Sequence, residues 1–215
     1  MHEGLTLIGA GLLTTAHVLS RTTYHVLANP KIHKRVQKEL QEAMPSSWSP
    51  SSKENLLKLE NLPYLNAIIK EGLRLSNPIS HRIGRVAPDR ALTFNDWVIP
   101  PGTVVNMSMM LLHGDPAVFS EPEKFDPERW LRAPDARGVN PLEKYLLPYN
   151  RGSRMCLGMN LADAELRMTL AAIFQRFDLA LYETTRSDAT VVHDYIAGSP
   201  RADSKGIRVV VQQRT

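Results

Sequence analysis

Apolar residues in the first half of the chain recur at helical spacing. Leu5, Leu7, Ile8, Leu12, Leu13, Val18 and Leu19 make the opening stretch apolar, so one long helix is expected over residues 5–27, ended by Asn29-Pro30. Asn29 can then cap a second helix with Pro30 at its first position. In that helix Ile32, Val36 and Leu40 predict one buried stripe, with Lys31, Lys34, Arg35, Lys38, Glu39 and Glu42 solvated around it. Residues 45–53, rich in Ser and Pro, read as a loop. A third helix is expected over residues 62–75, with Leu65, Ile68, Ile69 and Leu73 on its apolar side and Asn77-Pro78 as its stop. The pattern changes over residues 82–110, where short runs at 85–86, 91–94, 97–99 and 103–107 predict a small antiparallel sheet. Pro100-Pro101-Gly102-Thr103 between two of these runs signals a type II turn. Asp115-Pro116 opens a short helical turn.

Residues 122–151 form a long irregular stretch with several prolines and little periodicity. Such stretches are uncommon inside a compact domain and are usually functional. A last helix is expected over residues 157–177, with Leu166, Leu170, Ile173, Phe174 and Phe177 on one side. The tail, residues 191–211, offers two strand-like runs around Gly198-Ser199-Pro200, and no internal repeat is visible. These elements predict a mainly α protein with small antiparallel β-sheets, an α+β fold.

Composition narrows the classes. The chain has 215 residues, 43% of them hydrophobic, which is enough to bury a core in one or two domains. Its single Cys excludes an internal disulfide framework and any all-cysteine zinc or iron–sulfur site. The net charge of +4 is mild, and no dense basic block interleaves with aromatics, so nucleic acid is not an expected partner. The uncharged stretch between Glu3 and Arg21 is marginal against the ~20 apolar residues of a membrane span. Thr6, Thr14, Thr15 and His17 interrupt it, and Met1-His2-Glu3 lacks the basic start of a signal peptide. It reads as a buried helix of a soluble domain that opens in its middle, because no capping residue precedes the apolar run.

Four local features carry candidate chemistry. The lone Cys156 stands in Tyr149-Asn150-Arg151-Gly152-Ser153-Arg154-Met155-Cys156-Leu157-Gly158, just before the last helix. Nearby cations and a helix start favour a thiolate, and Gly152 and Gly158 let the backbone approach a bulky planar partner. Glu71 and Arg74 lie three apart on one helix face, by itself an ordinary pair. Arg129, in Phe125-Asp126-Pro127-Glu128-Arg129-Trp130, could reach back to a carboxylate such as Glu71. Thr14 and Thr15 follow Ala10-Gly11 inside an apolar helix, where a Thr hydroxyl can bond the carbonyl four residues earlier.

In their order and spacing the four features resemble the carboxy-terminal half of a cytochrome P450 of the fungal, microsomal type. The family's heme-thiolate signature reads here as Tyr149, Gly152, Arg154, Cys156 and Gly158, with Tyr in place of Phe. Glu71, Arg74 and Arg129 match the family's structural charge triad. The oxygen-side helix motif reads Ala10, Gly11, Thr14 and Thr15, with Leu13 where the family has an acid. The resemblance implies a cytochrome P450 fold with heme b, iron protoporphyrin IX, as cofactor and Cys156 as axial iron ligand. It places Arg154 and Arg85 at heme propionates, Tyr149 near the proximal face, and Ala10, Gly11 and Thr14 on the distal side. Thr14 would help to hold bound oxygen and its protons. It further implies insertion of one oxygen atom into a small apolar substrate, in fungal secondary metabolism, with electrons from NADPH through NADPH-cytochrome P450 reductase. A full-length parent would sit on the cytosolic face of the endoplasmic reticulum membrane.

Two departures bear on that expectation. Leu13 cannot serve as an acid, and Glu3, ten residues upstream, is about 15 Å away along a helix. Family members are more than twice as long, so residues 1–215 are expected to be a partial cytochrome P450 domain whose amino-terminal half is absent. The competing readings are a non-catalytic remnant with weak or no heme binding, and a Cys–His hydrolase built on Cys156.

Overall fold

The structure, a computed structural model, describes residues 2–45, 47–49, 52–132 and 140–213. The expected loop at 45–53 and the irregular stretch at 122–151 therefore fall partly outside the described residues, at 46, 50, 51 and 133–139. The architecture is mainly α with small antiparallel sheets. Its helices are α1 (His2–Leu27), α2 (Pro30–Ala43), α3 (Lys53–Glu60), α4 (Pro63–Ser76), α5 (Met109–His113), α6 (Met159–Arg176) and α7 (Arg186–Ala189).

Local chemistry accounts for the helix ends. The Asn29 side chain accepts from the Lys31 and Ile32 amides, and Pro30 occupies the first helical position of α2. The first turn of α4 has no cap of its own. Glu39 of α2 supplies one, its two carboxylate oxygens accepting from the Tyr64 and Leu65 amides at 2.8 Å each. Asn77 closes α4 in the left-handed region at φ 44°.

The core lies among α1, α2, α4 and α6, with Val26, Val36, Leu40, Leu65, Ile68, Leu166, Leu170 and Phe174 buried in it. The predicted stripe of α2 and the apolar side of α4 point there as expected. Helices α1 and α4 cross closely because residue 72 is glycine: a Cβ there would stand 2.1 Å from the Thr22 hydroxyl oxygen.

The strand region departs in detail from expectation. The runs at 83–107 form two separate two-stranded antiparallel sheets, where one was expected. Strand β1 (Ile83–Val86) pairs β4 (Val104–Met107), and β2 (Leu92–Phe94) pairs β3 (Trp97–Ile99). Gly102 has φ 79° and the Thr103 amide bonds the Pro100 carbonyl, as a type II turn requires. Residues 177–181 leave the helical path and become β5 (Phe177–Leu181), paired with β8 (Val209–Gln213), so the last helix ends earlier than its apolar pattern suggests. The tail also holds β6 (His193–Tyr195) and β7 (Ala197–Ser199). The reading of α1 as buried holds only for its second half. Val18, Thr22 and Val26 are buried, but Leu5, Leu7, Ile8, Leu12 and Leu13 are each about two-thirds exposed.

Helix α4 is locked to the irregular stretch through one carboxylate. Glu71 is fully buried, and its oxygens accept from Arg74 Nε at 2.9 Å, Arg74 Nη2 at 2.7 Å and Arg129 Nε at 3.0 Å. They also accept from the Trp130 indole at 2.9 Å and the Asp126 amide at 3.0 Å. Arg129 reaches this point because Pro127–Trp130 forms a 3-10 turn, capped by Asp126, that presses on α4. The second positive charge is spread over carbonyls: Arg74 donates to His113 and Pro122 at 2.7 Å each, and Arg129 donates to Ser120 at 3.0 Å.

This asymmetry of two cations on one anion ranks the substitutions. Glu71→Gln leaves two buried guanidiniums without a counter-charge and should cost ~3–5 kcal/mol or prevent folding. Arg129→Met leaves a neutral Glu71–Arg74 pair and should cost less. Thermal melting of both variants tests the order; a larger loss at Arg129 would contradict it.

Candidate heme-thiolate site

The loop before α6 is shaped for a side chain that faces outward. Asn150 and Gly152 both have positive φ, 62° and 82°, and a Cβ on Gly152 would meet open space. The Cys156 amide donates to the Tyr149 carbonyl at 2.8 Å, closing the loop, and the Cys156 side chain is exposed. Gly158 is the N-cap residue of α6, and a Cβ there would lie 4.0 Å from Cys156 Sγ. The thiol thus sits two residues before the cap, on the approach to the positive end of an 18-residue helix.

Tyr149 anchors this loop to the body of the protein. Its ring packs against the core, and its hydroxyl donates to Asp163 of α6 at 2.6 Å. Burial and that carboxylate hold the Tyr149 phenol well above its ordinary range, so it remains protonated as the donor. Asp163 is paired with Arg167 at 3.5 Å, and Arg167 donates to Asn66 of α4 at 2.9 Å. A phenylalanine could pack here but could not enter this chain of polar contacts.

The remaining expected residues are brought near one another only in part. Arg154 is exposed and makes no hydrogen bond or ion pair among the described residues. Arg85, on β1, is exposed and donates to the neighbouring Gly84 carbonyl at 3.0 Å. Both guanidiniums therefore remain available to an anion. On α1, Thr14 Oγ1 donates to the Ala10 carbonyl at 2.7 Å, the back-bond expected from sequence. Ala10 and Gly11 are exposed, with nothing within 4 Å of a Cβ built on Gly11. No hydrogen bond or ion pair among the described residues links Thr14 or Arg85 to the Cys156 loop.

One positioning residue was not evident from the sequence. His113 is buried; its carbonyl accepts from Arg74, and its Nε2 accepts from the Leu147 amide at 3.1 Å. It therefore ties the Glu71 cluster to the segment that leads into Tyr149. The only sequence signal was a lone imidazole in the run Leu111-Leu112-His113-Gly114. The Cys–His hydrolase reading finds no support. His17 bonds Ser76, His25 stacks on Phe125, His33 meets Phe174, His81 bonds Asp194, and His193 lies against Tyr195. A cavity of about 330 Å³ is lined by residues including Glu60, Asn66, Lys70, Trp130 and Leu131, and Cys156, Tyr149, Arg154, Arg85 and Thr14 are not among its lining residues. No helix among the described residues is long and apolar enough to cross a membrane.

Comparison with known proteins bears directly on this geometry. Residues 1–193 match the family model for cytochrome P450. The chain is 43% identical over 212 residues to tryptophan 6-hydroxylase fscE of Fusarium equiseti, covering 99% of this chain and 40% of that protein. It is 46% identical over 211 residues to the cytochrome P450 monooxygenase oblB of Emericella variicolor, covering 97% and 37%. It is 41% identical over 212 residues to N-acetyltryptophan 6-hydroxylase ivoC of Emericella nidulans, covering 99% and 41%. The chain thus spans 37–41% of the length of these relatives.

Burial gives the site's scaffold a pH dependence. It pushes His17, His25 and His113 each down to about 4 from 6.5, with Arg21 or Arg74 adding repulsion. Between those values the unfolded chain binds protons that the folded chain does not, so stability present above pH 6.5 is lost as pH falls towards 4. Each such group adds a slope of about 1.4 kcal/mol per pH unit. Stability is expected to fall across this window, and His113→Gln, which keeps an acceptor for Leu147, should make the fall shallower by about one group's share. Denaturant unfolding from pH 7 to 4.5 measures it; an unchanged slope would contradict the assignment.

Proposed function

The chain belongs to the cytochrome P450 family, and from that premise we propose that it carries the thiolate loop, the oxygen-side helix and the propionate-binding arginines of a heme-thiolate monooxygenase. The observation that carries this reading is the exposed Cys156 thiol, held at the mouth of α6 by a loop closed on the Tyr149 carbonyl. The chain spans about two fifths of its relatives, 37–41% of their length, so the whole reaction is proposed for a polypeptide of their size.

The residues present fit the cofactor. Heme b needs one soft axial donor, open faces and cations for its propionates. Cys156 offers the thiolate, Gly152 and Gly11 leave the space that a side chain would fill, and Arg154 and Arg85 have no carboxylate partner among the described residues. When bound, heme supplies the iron chemistry by which one oxygen atom from O2 enters an unactivated bond of a small apolar substrate.

Around it each residue has a definable task. Cys156 would donate charge to the iron, and Tyr149 holds the Cys156 amide and, through Asp163, α6. Gly158 allows close approach beside the sulfur. Arg154 and Arg85 would neutralise and orient the propionates. Ala10 and Gly11 would leave room on the distal side, and Thr14 commits its proton to the Ala10 carbonyl, so its oxygen is left to act as an acceptor. Leu13 offers no proton where the family has an acid.

Electrons would come from NADPH through NADPH-cytochrome P450 reductase, at the cytosolic face of the endoplasmic reticulum membrane. Two relatives are named for hydroxylating tryptophan and N-acetyltryptophan, and others as monooxygenases only. That range fits a role in fungal secondary metabolism and a small organic substrate.

The test is spectroscopic. Reduced, carbon monoxide-treated protein should give the red-shifted Soret band of thiolate-ligated heme, and Cys156→Ser should abolish it. The same band in the variant would remove Cys156 as ligand.

A further inference from the structure

The β6–β7 hairpin turns on one strained residue. Tyr195 pairs with Ala197 and Asp194 with Gly198, so Ile196 alone reverses the chain. It does so at φ 75°, in the left-handed region. Glycine or asparagine is the usual residue at such a tip, and a β-branched side chain is an outlier there. Strain of this kind persists only where surrounding contacts over-determine the backbone.

Those contacts come from Ser80 and His81, in the segment that follows α4. The Ile196 carbonyl accepts from the Ser80 amide at 3.0 Å and from the His81 amide at 3.4 Å. Asp194 fastens the same two residues by their side chains. Its Oδ1 accepts from the Ser80 hydroxyl at 2.8 Å, and its Oδ2 lies 2.9 Å from His81 Nδ1. A carboxylate can only accept, so Nδ1 carries the proton. Asp194 Oδ1 also accepts from the Ile196 amide at 3.1 Å, so one side chain holds both the tip and the segment against it. The Ser80 hydroxyl, and then the His81 ring, keep the Asp194 carboxyl below the usual carboxylate range, so it is ionised at neutral pH. The two segments also approach closely beside this point. A Cβ on Gly198 would stand 3.4 Å from the Asn77 carbonyl oxygen and 2.7 Å from the Val191 side chain.

We propose that the β6–β7 hairpin is a latched strap: Asp194, gripping Ser80 and His81, holds Ile196 in a backbone conformation it would otherwise leave, and release of Asp194 frees the tip from the segment after α4. The two states differ in which term dominates. With the latch made, three side-chain bonds and the Ile196 carbonyl bonds outweigh the strain; with it broken, Ile196 relaxes to negative φ and its carbonyl turns away from Ser80. The place of the strap gives it a use. The Ser76 carbonyl at the end of α4 is bonded by His17 of α1 at 2.8 Å, three residues after Thr14. Release of the strap would therefore alter the wall beside the oxygen-side helix, a consequence that rests on the proposed function; the latch itself does not.

Amide hydrogen exchange, read residue by residue on protein with and without heme, tests the latch. The Ser80 amide reports docking of the tip, and the Val192 amide, bonded to the Ser199 carbonyl at 2.9 Å, reports the hairpin itself. Asp194→Ala should speed exchange at Ser80 at least tenfold and leave Val192 protected. Adding Ile196→Gly to that variant should restore protection at Ser80, because glycine adopts φ 75° without strain. Should Asp194→Ala not fold, Asp194→Asn, which lacks the charge that holds His81, gives the same comparison. Unchanged protection at Ser80 without Asp194 overturns the proposal. So does loss of protection at Val192 as well, or a double variant in which Ser80 stays unprotected. The expected pattern in protein that lacks the thiolate Soret band would support the latch and count against the heme reading alone.

Discussion

A carboxylate with no access to water must be surrounded by donors, and Glu71 meets that requirement with two arginines, an indole and a backbone amide. Those donors come from α4 itself and from the 3-10 turn at Pro127–Trp130, more than fifty residues later. The irregular segment between them has few regular hydrogen bonds of its own, so Arg74 and Arg129 serve its carbonyls at His113, Ser120 and Pro122. One buried charge thus organises a stretch that periodicity alone would leave undefined. Desolvating three charged groups is costly, so the cluster's net contribution to stability is much smaller than the cost of breaking it.

From this cluster a short path of contacts leads to the cysteine. Arg74 holds the His113 carbonyl, the His113 ring receives the Leu147 amide, and two residues later Tyr149 accepts the Cys156 amide while its hydroxyl grips Asp163 on α6. Cys156 is consequently exposed without being loosely held. That combination suits an iron ligand, which must meet its metal at a fixed point but keep one face open to it. The substitution of Tyr149 for the family's phenylalanine adds a polar tie from the loop through Asp163 and Arg167 to Asn66.

Much of this was legible in the sequence where a single physical rule decided the outcome. Asn29-Pro30 fixed a helix start, the Ile32, Val36 and Leu40 stripe marked a core face, and Pro100-Pro101-Gly102 marked a turn with positive φ. The residues themselves only raised the link from Arg129 to Glu71, and the family resemblance joined Glu71, Arg74 and Arg129 into one cluster, because the i, i+3 pair alone is commonplace. What escaped was set by tertiary context. Helices α3 and α5 and strand β5 lack strong periodicity and form where neighbours accept them. The exposed half of α1 looks like core in sequence because apolar composition reports a tendency to be covered and does not identify the covering surface. His113 does not announce itself; its role depends on what lies within hydrogen-bonding distance, which no spacing rule encodes.

The central claim is that Cys156 is presented as the axial ligand of a heme iron. Iron K-edge X-ray absorption on the heme-loaded protein tests it most directly, because it identifies the neighbours of the metal element by element. The account predicts one sulfur scatterer beside the porphyrin nitrogens, present with Cys156 and absent when Cys156 is replaced by serine. A first coordination shell of nitrogen and oxygen alone in the unaltered protein would contradict it.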